Sequence, residues 1–236
     1  MLEPPARRRT AELMDDPSIP VDAHEHALGG LARINRLSGV GSTLWRAIER
    51  AVEVHPPSML TLLDVASGSG DLPVALASAA RSHGCSISPM ATDISDVALQ
   101  AARRRAAARG VTLTTMRHDI LASELPEQAD IVTCSLFMHH LDPEQVVPVL
   151  SRLGRVTRRL LLVLDLRRTR RGLALAWAVP RLLTTSRVVH VDAVRSVQGS
   201  YSMDELRDMA AAAGLANASV RAAWPQRMLL TWKPPA

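Results

Sequence analysis

From Met59 to Trp232 the chain alternates short apolar runs with helical stretches, and that alternation restricts the fold more than any other feature. A strand, a helix and a second strand in that order return to one sheet as parallel neighbours, so repeated units build an open sheet with helices on both faces. Met59 to Ala66 reads as the first strand, and a helix follows from Asp71 to about Ser82. Ile87 to Asp93, Thr112 to Arg117, Ala129 to Leu136 and Arg159 to Leu166 continue as strands two to five, the last with a run of leucines that suits burial on both faces. Ser95 is placed to cap a helix that Gly110 ends, and Asp142-Pro143 opens the next. Ser202-Met203-Asp204-Glu205 is a capping box for a helix closing at Gly214, and strands near Ser219 to Ala223 and Arg227 to Trp232 bring the total to seven.

Two segments stand outside this pattern. Residues 1–57 read as a loose arm to about residue 20 and then a helical cap, whose apolar spacing breaks near Ser38 to Ser42 and ends at His55-Pro56-Pro57. Residues 58–236 form the α/β domain, with an insertion at 167–200 after the fifth strand. Within the insertion, GLALAWAVPRLL is apolar on nearly all sides but short and interrupted by Pro180, which predicts a lid helix rather than a membrane span. Its arginine flanks leave contact with a membrane surface as the alternative. The stretch VVHVDAVRS alternates as a strand at the base of that lid would.

Composition narrows the function classes. A chain of 236 residues with 47% hydrophobic and 22% charged residues is long enough for a sizeable core. Cys85 and Cys134 stand alone, so neither a disulfide framework nor a structural zinc site is supported, and metal-free chemistry is expected. A cytoplasmic setting fits that cysteine usage and an N-terminus with no signal-peptide core. The formal charge of +5 comes from arginines, Lys233 being the only lysine. With one phenylalanine, one tyrosine and four tryptophans, no aromatic platform interleaves with the arginine clusters, so solvated helix faces explain them better than nucleic acid does.

The sharpest local signal is LLDVASGSGD at residues 62–71, where an apolar strand runs into a glycine turn flanked by Asp64 and Asp71. A phosphate loop needs a lysine and a hydroxyl residue after the last glycine, whereas Asp71-Leu72-Pro73 follows here. A dinucleotide site would set a pyrophosphate against two carboxylates. S-adenosylmethionine carries a sulfonium and an ammonium, so the same acids attract it. Asp93 ends the second strand about 20 residues beyond the turn, where a carboxylate can accept from both ribose hydroxyls, and Asp119 follows the third strand, placed for an adenine amino group.

Taken in order, DVASGSGD, ATDIS, HDIL and ADIVTCSLFMHHL resemble the successive motifs of class I S-adenosylmethionine-dependent methyltransferases. INRLSGVGSTLWRAI, LLDVASGSGD and TDIS are most similar to the ubiquinone/menaquinone methyltransferase-like branch. The resemblance implies a Rossmann-like α/β fold and a cofactor site made by Asp64, Ala66, Ser67, Gly68, Gly70, Asp93, Ile94, Asp119, Ile120 and Ser135. Ala66 and Gly68 would line the methionine moiety, Asp64 orient its ammonium through the loop, Ile94 pack on adenine and Ser135 lie beneath the sulfonium. Quinone carbon methyltransferases usually carry Arg-Asn where this chain has His139-His140, a departure that turns the acceptor reading elsewhere.

Methylation of a free phenol, with a pKa of about 10, gains from a general base, and histidine titrates near neutrality. His139, at the end of the fourth strand, is the first candidate, and His190, with Asp192 to orient it, is the second. The expected activity is O-methylation of a small aromatic or polyketide-type acceptor by a monomer or homodimer. Ring C-methylation of a quinone or hydroquinone is the alternative, and a non-catalytic cofactor-binding partner subunit a further one.

Overall fold

The computed structural model describes residues 5–16, 18–51, 59–125 and 127–235. Two helices come first, α1 (Val21–Leu37) and α2 (Val40–Ala51). The alternating run then follows as β1 (Met59–Val65), α3 (Asp71–Ser82), β2 (Ser86–Asp93), α4 (Asp96–Ala108), β3 (Thr114–Arg117), β4 (Ala129–Ser135), α5 (Pro143–Val156) and β5 (Thr157–Leu166). Helices α6 (Arg170–Leu183), α7 (Arg187–Gly199) and α8 (Met203–Ala212) precede β6 (Ser219–Ala223) and β7 (Arg227–Trp232). The break expected at His55-Pro56-Pro57 lies outside the described residues.

The sheet order is β3-β2-β1-β4-β5-β7-β6. β7 pairs antiparallel with β5 and with β6, and the other neighbours are parallel. The chain therefore winds outward from β1 through β2 to β3, then returns to the other side of β1 for β4. Loops at the carboxyl ends of β1 and β4 diverge at that reversal and leave a crevice, the place where open α/β sheets bind ligands.

Period-two alternation divides the core between the two faces of the sheet. Leu160, Leu162 and Leu164 of β5 pack with Leu62, Leu44 and Ile48 under α2 and α3. Leu161 and Val163 face the other way, with Leu63, Val132, Leu150 and Leu206 under α5 and α8. Helix α2 thus shares the core of the sheet, although it belongs to the segment that reads as a cap.

Two expectations need correction. The segment VVHVDAVRS is helical within α7, capped by Ser186, whose hydroxyl accepts from the Val189 N–H. Helix α7 packs against α6 and the N-terminal segment, and this tertiary environment overrides the strand preference of its valines. Nor are residues 5–16 a loose arm. Arg7 donates to the Gly199 and Leu141 carbonyls, Arg9 makes a two-pronged contact with Asp142, and the Leu13 and Met14 N–H groups donate to Asp192. Those bonds strap the segment across α7 and the 3-10 turn Met138–His140.

Candidate functional site

A cavity of about 1040 Å³ opens over the carboxyl ends of β1, β2 and β4. Asp64, Ala66, Ser67, Gly68, Asp93, Ile94, Asp119, Ile120, Ser135 and His139 lie on its wall. Gly70, His190 and Asp192 are not among its lining residues.

The floor begins where β1 stops. Ala66 has φ 53° and Leu136, at the end of β4, has φ 57°. Non-glycine residues rarely adopt this left-handed conformation, and the two sit on either side of the β1/β4 reversal, a pattern characteristic of functional turns. Gly70 also has positive φ, and a Cβ there would meet that of Ala102 at 2.7 Å, so glycine is what allows α4 to close against the turn. Asp64 is buried beneath the loop, accepting from the Ser67 and Thr133 hydroxyls at 2.6 Å each. Burial raises its carboxyl to about 7 despite those bonds.

Asp93 reaches across from β2. One oxygen accepts from the Gly68 N–H at 2.7 Å and the other from the Ser95 N–H at 2.9 Å, which fixes the carboxylate against the glycine turn. Burial raises its pKa, and these backbone bonds offset part of the rise. Asp71, at the start of α3, is likewise raised by burial and partly offset by Arg105. Three acids with disfavoured charge on one wall make an environment that a cationic ligand would relieve. Ile94 is 58% exposed above it, an apolar surface at the cavity mouth. Asp119 accepts from the Leu121 N–H at 2.8 Å, and Ile120 is buried in the core beside it.

Three buried polar atoms on this wall have no hydrogen-bond partner, Ser135 Oγ, His118 Nε2 and Arg227 Nε. Leaving such atoms unpaired costs about 1–3 kcal/mol each, so the cavity is shaped for polar contents. The acids, the glycine turn and these unpaired groups together fit S-adenosylmethionine. The roof is apolar by contrast, with Leu28 and Leu31 from α1 and Leu175, Ala176, Val179 and Leu183 from α6. Pro180 lies within α6, which runs on to Leu183 before it ends.

At the far end His139 is buried, its Nδ1 2.6 Å from Asp165 Oδ1 and its backbone N–H donating to the same carboxylate. Its Nε2 faces Glu12 Oε1 at 3.6 Å, and His140 Nε2 faces Glu12 Oε2 at 3.9 Å. Burial alone would lower the His139 pKa, but Asp165 and then Glu12 outweigh it and push the imidazole up to about 10. The two carboxylates thus favour the imidazolium form of His139 over the free base. Burial would raise Glu12, yet the close approach and charge of His139 and the charge of His140 hold it below its usual range. His190 and Asp192 are not paired. His190 Nε2 bonds the Thr184 carbonyl at 2.8 Å, while Asp192 is engaged by Leu13 and Met14.

Glu12, Asp165, His118 and Arg227 escape a reading of the sequence as site residues. Asp165 left a signal, a lone charge within the apolar run LLLVLDL. Glu12 left none, because only the strap's docking brings it to the turn after β4.

Residues 62–159 match a family model described as a methyltransferase domain. A demethylmenaquinone methyltransferase from Thermus thermophilus is 35% identical over 124 residues, 50% of this chain and 53% of the relative. The chain thus spans about half the length of that curated relative. Among solved structures, magnesium protoporphyrin IX methyltransferase from Synechocystis with bound SAH superposes with a TM-score of 0.58 at 18% identity, covering 93% of this chain and 90% of that one. An O-methyltransferase family 2 protein from Planctomyces limnophilus in complex with apigenin gives 0.63 at 18%, covering 93% and 63%. Over residues 62–159 the chain thus matches a methyltransferase domain, and its sheet has the fold of the solved methyltransferases that it resembles.

Proposed function

We propose that this chain transfers the methyl group of S-adenosylmethionine to a hydroxyl of a small aromatic or polyketide-type acceptor. The observation that carries the reading is the cavity, acidic and glycine-lined at the β1/β4 edge, apolar beneath α1 and α6, and closed by Glu12 and His139. At about 1040 Å³ it lies just above the roughly 300–1,000 Å³ typical of small-molecule sites, which leaves room for an acceptor beside a cofactor.

When bound, the cofactor supplies an electrophilic methyl group on a sulfonium, and displacement by the acceptor oxygen leaves a neutral thioether. The chain's own part is to bind and orient. Asp93 would hold the ribose hydroxyls, Asp119 the adenine amino group and Ile94 the adenine face. Asp64, through the turn it braces, would set the ammonium, and Ser135, its hydroxyl unpaired, would lie beneath the sulfonium. The apolar roof keeps water from a greasy acceptor. Held as an imidazolium, His139 donates to the acceptor oxygen and steadies the charge that develops there. Glu12, kept ionised beside it, takes the hydroxyl proton, so the pair divides the work expected of a single base.

Ring C-methylation is the second reading, supported by the similarity to a demethylmenaquinone methyltransferase. The test is to incubate the protein with methyl-labelled cofactor and a panel of phenols and hydroquinones, then locate the label by mass spectrometry. Label on oxygen supports the first reading and label on ring carbon the second. Cofactor binding with no product from any acceptor would favour the partner-subunit alternative.

A further inference from the structure

Among the described residues, Glu12, His139 and His140 each offer a ligand atom, and these atoms all lie within 4.8 Å of one another. The Glu12 oxygens stand 3.6 and 3.9 Å from the two Nε2 atoms, beyond ordinary hydrogen-bond length. They are near the separation of about 3.3 Å that two ligands span across a tetrahedral zinc ion with bonds of about 2.0–2.1 Å. The His139 and His140 rings lie with centroids 4.4 Å apart and tilted by 32°, and the Nε2 atom of each faces the Glu12 carboxylate.

An independent feature lies behind this cluster. The Nδ1 of His139 is 2.6 Å from Asp165, whose carboxylate is fully buried and also fixed by the His139 backbone N–H. A carboxylate on the far nitrogen sets the tautomer and ring orientation of a metal-ligating histidine and raises its basicity. The third ligand is held as firmly. Glu12 accepts from Ser196, and the strap that carries it is pinned on one side by Arg9 to Asp142 and on the other by Leu13 and Met14 to Asp192. All three residues line the cavity, so a fourth coordination position would open toward the acceptor.

We infer that Glu12, His139 and His140 form a binding site for a divalent transition-metal ion of the zinc type, with Asp165 as the outer support of His139. Two imidazoles and one carboxylate suit zinc and its neighbours, whereas magnesium and calcium require oxygen donors. Binding of the ion involves no redox change. Resting on the proposed methyl transfer, the loaded site would replace the direct roles of His139 and Glu12: the ion would bind the acceptor hydroxyl through its oxygen, lower its pKa and let its proton pass to solvent before the oxygen attacks. This departs from the metal-free expectation, which scanned the sequence for local ligand spacing and could not see a site assembled from the N-terminal strap.

Tag-free protein, stripped with a chelator, is titrated with cobalt(II), whose visible absorption reports nitrogen and oxygen coordination. The expected result is saturable uptake of one ion per chain, displaced by zinc. Glu12→Ala and His140→Ala should each weaken it at least about 10-fold, and Asp165→Asn by roughly 10–100-fold. Circular dichroism and cofactor calorimetry on each variant show that the fold is retained. Absence of uptake by folded protein, or uptake unchanged in Glu12→Ala, overturns the site. Because cofactor affinity is measured separately, an intact cofactor site without cobalt uptake removes the metal alone, whereas loss of cofactor binding in the native protein removes the methyltransferase reading.

Discussion

Asp64→Asn separates the binding role of the acid from its cost to the fold. Asp64 is buried, and its carboxyl is raised from 3.8 to about 7. A group whose folded pKa lies above its unfolded value binds more protons when folded, so its contribution to stability falls as pH rises between the two values. The full penalty, reached above pH 7, is about three units at 1.36 kcal/mol each, or about 4 kcal/mol. At pH 5 only about one unit of it, roughly 1.6 kcal/mol, is in force. Asparagine keeps the shape, and the Ser67 and Thr133 hydroxyls can turn to match its amide. Urea unfolding of the ligand-free proteins should therefore show Asp64→Asn gaining on the native chain by about 2 kcal/mol or more between pH 5 and 8.5. The same variant should bind the cationic cofactor more weakly at pH 8. A difference in stability that stays flat with pH, or a variant less stable than the native chain at pH 8.5, would refute the reasoning.

Gly70→Ala, strained at positive φ and driven into Ala102, should lose at least about 2 kcal/mol in urea unfolding. His139→Ala should lower turnover by roughly 100-fold or more while cofactor affinity by calorimetry stays within a few-fold. Trp177 and Leu182 of α6 are exposed, while Leu175, Val179 and Leu183 of the same helix line the cavity, as expected of a lid. Flotation with liposomes should leave the protein with the soluble fraction at moderate salt, and recovery with the vesicles would favour a membrane-surface role. No helix among the described residues is long and apolar enough to cross a membrane.

The sheet was legible because its signals are local. Leucine runs marked β1 and β5, and small or acidic residues marked where each strand ends. Ser95, Asp142 and Ser202 announced helix starts that the structure keeps, including reciprocal capping boxes at Asp142 and Ser202. The strand expected over VVHVDAVRS failed because a short valine-rich run fits a strand and a buried helix alike, and packing against α6 decided between them. The acidic wall of the cavity was similarly readable, since Asp64, Asp93 and Asp119 each stand at or just past the end of a strand. The acceptor end was not. Glu12, His139 and Asp165 come from three segments remote in sequence, and only the docking of an apparently unstructured arm brings them together.

The central claim is that the acids around the β1 turn hold a cationic, ribose-bearing cofactor. Titration calorimetry with S-adenosylmethionine tests it most directly, on the native chain and on Asp93→Ala. The expected result is one site per chain, displaced by the demethylated product, and a loss of about 2–4 kcal/mol in the variant as bonds to a charged acceptor disappear. Equal affinity in the two proteins, or no binding by the native chain, would contradict it.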